Sequence, residues 1–330
     1  MRPQFEWQLA TRRLSLGERT LVMGIVNVTP DSFSDGGLYE APERAIEHAI
    51  RLLDEGADML DIGGESTRPG SSPESVSAQQ EQDRVLPVIE GVLRAKARAV
   101  ISIDTYKASV AAAALAAGAE IVNDVSGGTW DPTMLPTLAA HRCGTVLMHT
   151  RGRPDEWANL PPLTDPISVV CRELSAIAQS AQALGVAHER IVLDPGFGFG
   201  KLGNDNYALL AHFAHLATLG FPLLSAPSRK GFLGRTVAAR LESLGAPLLP
   251  AIGVGGPFKP AVGLSGEESA EGAPGNRSAA ELAWEKVPRL NATLAAITAS
   301  VLQGAHIVRV HDVRSAVEAV AVADAILAAE

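Results

Sequence analysis

Short apolar runs recur along this chain, and each delivers a polar side chain at or just past its end. The run TLVMGIVN (20–27) is too apolar to alternate, so it predicts a strand buried on both faces, closing on Asn27. The polar stretch VTPDSFSDGG follows, with turn formers at nearly every position. The same device returns at 58–62, carrying Asp61, and at 99–103, ending on Asp104. It returns again at 121–122 before Asn123 and Asp124, at 144–148 before His149, and at 191–193 before Asp194. Residues 221–224 run into SAPSRKG with Ser228 and Lys230, and residues 306–310 carry Arg309 and deliver His311.

Helical patterns fill the intervals. Ile46, Ala49, Ile50 and Leu53 mark one face of a helix with Pro42 near its first turn. Ser77 and Gln80 form a capping box for a helix carrying Val85, Leu86, Ile89 and Leu93, in which Pro87 predicts a kink or a later start. Thr105 is the expected cap of an alanine-rich helix to Ala117. Further helices are expected at 134–140, 164–184, 207–219 and 279–302, and a last one capped by Asp312. Residues 1–19 predict a hairpin that turns near Gly17.

Strand and helix alternating eight times is the order of a (β/α)8 TIM barrel, an α/β fold whose post-strand loops build the site. The expected barrel core spans about 20–325 as one domain. A doubly wound sheet is the alternative, but it calls for a dinucleotide signature after the first strand, and VTPDSFSDGG is not one. One stretch breaks the rhythm. Between Gly245 and Gly275 lie five prolines and eight glycines in 31 residues. That density forbids a long helix, so residues 241–285 read as a flexible insertion in the seventh helical region. GVGGPF inside it lacks both the GxGxxG spacing and a leading strand. GFGFGK (196–201) lacks the fourth intervening residue and the Ser or Thr of a phosphate loop.

Charge and composition remove several classes of function. With 330 residues, 46% hydrophobic and a net charge of −9, the chain has ample core and no electrostatic footprint for nucleic acid. Cys143 and Cys171 are the only cysteines, which predicts a reduced, cytoplasmic compartment without a disulfide framework. The first residues lack an apolar signal region, and no apolar run reaches the roughly 18 residues of a membrane span.

Asp and Asn after strands often only make turns. Many polar ends at one rim of one barrel point to more. Asp104, Asn123 and Asp194 form an acceptor patch suited to a flat heterocycle with amino and ring N–H donors, and Lys230 could reach a carbonyl or ring nitrogen of the same ligand. Arg309 and His311 are two apart on one strand and share a face. With Asn27 they suit an oxyanion such as pyrophosphate, and Mg2+ is the expected metal, with one amide oxygen from Asn27 and the rest from water and phosphate. The alternative reading of Arg309 is an ion pair across the barrel mouth. Phe33 in the first loop and Arg68 beside Pro69 in the second suggest loops that close over a second substrate.

The ordered motifs NVTPDSFSDGG (27–37), DIGGESTRPG (61–70), ISIDTYK (101–107), IVND (121–124), LDPGFGFGK (193–201), SRKGFLG (228–234) and GAHIVRVHDV (304–313) together resemble the dihydropteroate synthases of folate biosynthesis. The resemblance implies a transferase that joins 6-hydroxymethyl-7,8-dihydropterin pyrophosphate to p-aminobenzoate, releasing pyrophosphate by a dissociative, Mg2+-assisted route. It implies a pterin pocket of Asp104, Asn123, Asp194 and Lys230. It places pyrophosphate on Asn27, Thr67, Arg309 and His311, with Asn27 also on the metal, and p-aminobenzoate on Phe33, Thr67, Arg68, Pro69 and Ser228. Asp104, Lys230, Arg309 and His311 are the implied catalytic residues. A homodimer and inhibition by sulfonamides are also implied. The chain differs from the usual pattern at Ala226 and Pro227, at Thr150 and at Ala292. Two other classes compete: a methyl-folate to corrinoid methyltransferase, which would not need SRK or the Arg309/His311 pair, and a non-catalytic pterin-binding subunit.

Overall fold

The computed structural model describes residues 2–28, 37–65, 76–246 and 287–329. Two short strands, β1 (Phe5–Gln8) and β2 (Arg13–Leu16), pair antiparallel. The barrel strands follow: β3 (Leu21–Asn27), β4 (Met59–Gly63), β5 (Ile101–Asp104), β6 (Ile121–Asp124), β7 (Gly144–Met148), β8 (Ile191–Asp194), β9 (Leu224–Ser225) and β10 (Ile307–Val310). They form one parallel sheet in the order β8-β7-β6-β5-β4-β3-β10-β9. A bridge between Leu193 and Leu223, with Leu193 N donating to Pro222 O at 3.0 Å, joins the two edges into a barrel. The described helices are α1 (Gly37–Asp54), α2 (Ala78–Ala95), α3 (Ala108–Ala116), α4 (Met134–His141), α5 (Pro166–Ala183), α6 (Asp205–Ala211), α7 (Gly231–Ser243), α8 (Leu290–Leu302) and α9 (Val313–Ala328). No described helix is long and apolar enough to cross a membrane.

The two faces of each strand go to different cores. Outward residues such as Val22, Leu60, Ile62, Ile103, Val122, Leu147, Leu193 and Val308 pack under the helices in one large cluster. Inward residues Met23, Met59, Ile121, Val146, Val192, Leu224 and Ile307 form a second cluster inside the barrel. Trp7, Leu9 and Leu16 of the hairpin join that second cluster and close the barrel at the N-terminal ends of its strands. An apolar floor therefore lies beneath the polar residues at the opposite ends.

The structure corrects several local expectations. The hairpin turns at 9–12, where Leu9 N donates to Arg12 O at 2.8 Å, and not near Gly17. Gly17 comes after β2, at φ 110°, where an added Cβ would stand 2.5 Å from Pro3 O. The Ser77–Gln80 capping box is present, and α2 runs unbroken through Pro87, so Pro87 is not its start. Pro42 falls in the second turn of α1, because that helix begins at Gly37. Thr105 does not cap α3. The N-cap is Lys107, and the carboxylate of Asp131 accepts from Ala108 N at 2.8 Å from a different loop. Asp312 sits at the N-cap of α9 but spends its carboxylate on Arg229 instead of on the helix. The helix expected at 207–219 is two pieces, α6 and a 3-10 helix over Phe213–Leu219. Of the helix expected over 279–302, Leu290–Leu302 is helical and 287–289 are not, while 279–286 lie outside the described residues. Helix α7 was not expected, and it takes Leu241–Ser243 from the stretch read as an insertion. Residues 247–285 of that stretch lie outside the described residues.

Candidate active site

Inward parity along the strands brings one set of polar side chains together above the floor. Asp61 and Asp104 come from β4 and β5, Asn123 from β6, Asp194 from β8 and Arg309 from β10. The register places Gly63 beside Asp104 and Asp104 beside Asn123, so these positions form a rim at one height. Arg309 crosses the mouth. Its Nε donates to Asp61 Oδ2 at 2.5 Å and its Nη2 to Asp104 Oδ2 at 2.5 Å. Asn123 Nδ2 donates to the same Asp61 oxygen at 2.9 Å. Asp61 is fully buried, and its other oxygen has no partner among the described residues. Asp194 Oδ1 accepts from Gly196 N at 2.7 Å.

Burial sets the electrostatics here. It pushes the Asp194 carboxyl up to about 6, against the pull of Gly196 N–H and the charges of Lys230, Arg309 and Lys201. Burial also raises Asp104 despite Arg309, and Asp61 adds to the rise. Burial works against the Arg309 guanidinium, but Asp61 and Asp104 more than offset it, and its pKa is raised. The site thus holds buried carboxylates whose ionised form desolvation opposes, the condition for welcoming a donor-rich ligand.

Lys230 caps α7 with its backbone, and its ammonium stands 4.0 Å above the centre of the Phe199 ring. Phe199 belongs to a third apolar cluster with Val125, Met148 and Trp157, flanked by Tyr106, Trp130 and Leu160. Ser228 Oγ lies 2.9 Å from His311 Nδ1 and accepts from His311 N at 3.2 Å. Strand β3 ends on a half-buried Asn27. Arg309 and His311 do share the inward face, but Arg309 is committed to Asp61 and Asp104. The acceptor patch and the oxyanion group are therefore one connected set. The ligand-free geometry of Arg309 is the ion pair across the mouth. Phe33, Thr67, Arg68 and Pro69 lie outside the described residues.

The sequence pattern alone does not mark Asp61 or Phe199 as binding residues. Asp61 could have been found by parity, as an inward position two before Gly63. Phe199 carried no such signal, since its place under Lys230 depends on the fold of the 195–201 loop. His149, by contrast, points outward. Its Nε2 lies 2.8 Å from Glu173 on α5, and burial keeps its ring neutral by lowering its pKa.

The fold and its mouth define a class: a parallel barrel with a carboxylate-rich polar site at the C-terminal ends of its strands. The model of the pterin binding enzyme family matches residues 23–256. Dihydropteroate synthase of Synechocystis sp. is 47% identical over 219 residues, covering 66% of this chain and 75% of the relative. That of Mycobacterium leprae is 39% identical over 308 residues, covering 92% of each. The solved Xanthomonas albilineans dihydropteroate synthase with 4-aminobenzoic acid superposes with a TM-score of 0.77 at 37% identity, covering 99% of both chains. The same enzyme in complex with 7,8-dihydropteroate gives 0.74 at 36%, covering 98% and 99%. The chain belongs to the pterin-binding enzymes and, among them, to the dihydropteroate synthases.

Proposed function

We propose that this enzyme condenses 6-hydroxymethyl-7,8-dihydropterin pyrophosphate with p-aminobenzoate to form 7,8-dihydropteroate and pyrophosphate. The observation that carries this reading is the convergence of Asp61, Asp104, Asn123, Asp194 and Arg309 on one inward rim. Buried carboxylates above an apolar floor match the amino and ring N–H donors of a pterin, and Lys230 would reach its carbonyl or ring nitrogen. Ligand donors would replace the Arg309 guanidinium at Asp104, which frees that cation to face the pyrophosphate alongside His311. The C–O bond breaks with its electron pair passing to pyrophosphate, and the positive charges of Lys230 and Arg309 oppose the charge that develops there. The amine of p-aminobenzoate then forms the C–N bond to the pterin methylene carbon and loses its proton. No protein nucleophile takes part.

Among the described residues no group of three or more His, Cys, Asp or Glu side chains could hold a metal ion. The half-buried Asn27 amide at the end of β3 would supply one oxygen to Mg2+, which keeps waters and takes substrate phosphate oxygens together with one or two protein oxygens. A bound Mg2+ would neutralise the leaving pyrophosphate. Phe33, Thr67, Arg68, Pro69 and Ser228 would frame p-aminobenzoate, and a sulfonamide of the same shape would compete there.

The test is pyrophosphate release from the dihydropterin substrate with Mg2+, with and without p-aminobenzoate. Release that depends on p-aminobenzoate and yields dihydropteroate supports the reading. Tight pterin binding without release would replace it with a methyltransferase or a binding subunit.

A further inference from the structure

The turn that delivers Lys230 is tied to the exit of β10 by two successive contacts. The first is the pairing of Ser228 Oγ with the ring and backbone nitrogens of His311. One residue further along both segments, Arg229 grips Asp312 with its fork. Its Nε donates to Oδ2 at 3.0 Å and its Nη2 to Oδ1 at 2.5 Å. The backbone supplies a third tie, since Arg229 N donates to Thr293 Oγ1 on α8 at 3.0 Å. Thr293 is buried, so that anchor is fixed. Lys230 N closes the turn on Pro227 O at 3.1 Å, and α7 starts at the next residue, Gly231.

Two features of Arg229 do not suit a residue kept for stability. Its φ is 55°, in the left-handed region, where glycine sits freely and a Cβ is crowded. Its ion pair is also open to water, with 49% of the Arg229 side chain and 26% of the Asp312 side chain exposed. Pairs of that kind add little to stability, whereas a bidentate fork fixes a direction. Asp312 is left free for the fork, because at the N-cap of α9 it makes no capping hydrogen bond. The chain thus keeps an arginine where the backbone suits glycine, and leaves a helix without its cap, for one contact. That contact adjoins Ser228 and Lys230 on one segment and His311 on the other.

We infer that Arg229 is a positioning residue for the reaction: its grip on Asp312 locks the 227–230 turn to the exit of β10 and so fixes Lys230 relative to His311. The inference rests on the roles of Lys230 and His311 given under Proposed function. Asp104, Asn123 and Asp194 stand on other strands, so the pterin ring keeps its acceptors whether or not the turn is locked. The lock therefore acts on the bond-breaking step, in which Lys230 and His311 face one leaving group, and not on binding.

The decisive variant is Arg229→Gly, which removes the fork and relieves the backbone at the same position. Its Tm should rise or stay within about 3 °C of the parent, because an exposed pair and a crowded Cβ leave together. Its kcat for pyrophosphate release should nevertheless fall about tenfold or more. KM for the dihydropterin substrate should stay within about threefold, the pattern of a group misplaced only in the transition state. Asp312→Ala, which removes no capping bond, should do the same, and the double variant should lose no more than either single one. Hydrogen exchange in the ligand-free protein gives a readout independent of turnover. Amides at 229–233 should exchange faster in either variant, while β10 and α8 keep their protection. A kcat retained within about twofold, a rise in KM in place of the fall in kcat, losses that multiply in the double variant, a Tm that falls with activity, or unchanged exchange at 229–233 would overturn the assignment. If the unmodified enzyme shows no release dependent on p-aminobenzoate, the functional reading fails, while the exchange result still decides whether Arg229 holds the turn.

Discussion

Arg309 holds two carboxylates at once, so its loss has two consequences. Arg309→Ala removes a preorganised cation and leaves Asp61, already short of one partner, facing Asp104 without a counter-charge. Turnover should fall by about 100-fold or more, the scale for losing one charge-stabilising group, with pyrophosphate release as the measurement. Near-normal turnover would remove Arg309 from the reaction. The buried aspartates also make a pH prediction. Asp194 and Asp124 are both raised to about 6, in each case chiefly by burial. The folded state therefore binds protons that the unfolded chain has already released. The stability these groups contribute is full below the ordinary carboxylate range and is lost as pH rises through about 6. Between pH 5.5 and pH 8 the ligand-free enzyme should lose more Tm than Asp194→Asn does, a difference that isolates this carboxyl from the buried His149, His306 and Lys201, whose lowered pKa values act in the opposite sense. Pterin affinity, measured by calorimetry, should run the other way and weaken below about pH 6, because a protonated Asp194 no longer accepts from the ligand.

At the scale of elements, the 194–201 loop after β8 is held by a side chain with no part in binding. Lys201 is 2% exposed, and its ammonium donates to His149 O, Gly196 O and Phe199 O at 3.1, 2.8 and 3.1 Å. Burial lowers its pKa to about 7. Lys201→Met would leave three carbonyls without their donor and should cost about 3 kcal/mol in urea unfolding. It should also loosen Phe199 beneath Lys230. The sequence motif GFGFGK was read only as a failed phosphate loop, because three carbonyl partners from two loops are a property of the closed fold. The strands were legible, since apolar runs ending on Asp, Asn or Arg require no knowledge of partners. Helix ends were less so. Lys107 and Asp312 stand at N-caps without capping them, and α3 takes its cap from Asp131, far from any local pattern. Helix α7 escaped notice because it opens on Gly231 directly after SRK and runs into a Gly/Pro-rich stretch. Within the site, the residue types at the rim were legible, and so was an ion pair of Arg309 across the mouth as an alternative, while its partners Asp61 and Asp104 were not, since they lie on strands far from it along the chain.

Across the whole molecule, the site depends on a floor built by the first residues. Trp7 is 1% exposed, donates from Nε1 to Arg190 O at 2.8 Å, and packs with Leu9 and Leu16 against the inner layer of the strands. Trp7→Ala should destabilise the fold by about 3–5 kcal/mol in equilibrium unfolding, the range for emptying a buried aromatic position. Arg2 adds a second tie at the same end, reaching Thr20 Oγ1 and Ala305 O at 2.6 Å and Asp324 at 2.8 Å. The seam between β3 and β10 has a further consequence. Leu21 pairs with Ile307, so β3 waits for a partner strand made 286 residues after it. Until then β3, apolar on both faces, presents a bare edge to the ribosome exit and to every neighbouring nascent chain. Newly made copies of this enzyme should therefore be most prone to clump, and most dependent on chaperones, over the interval before β10 has been made.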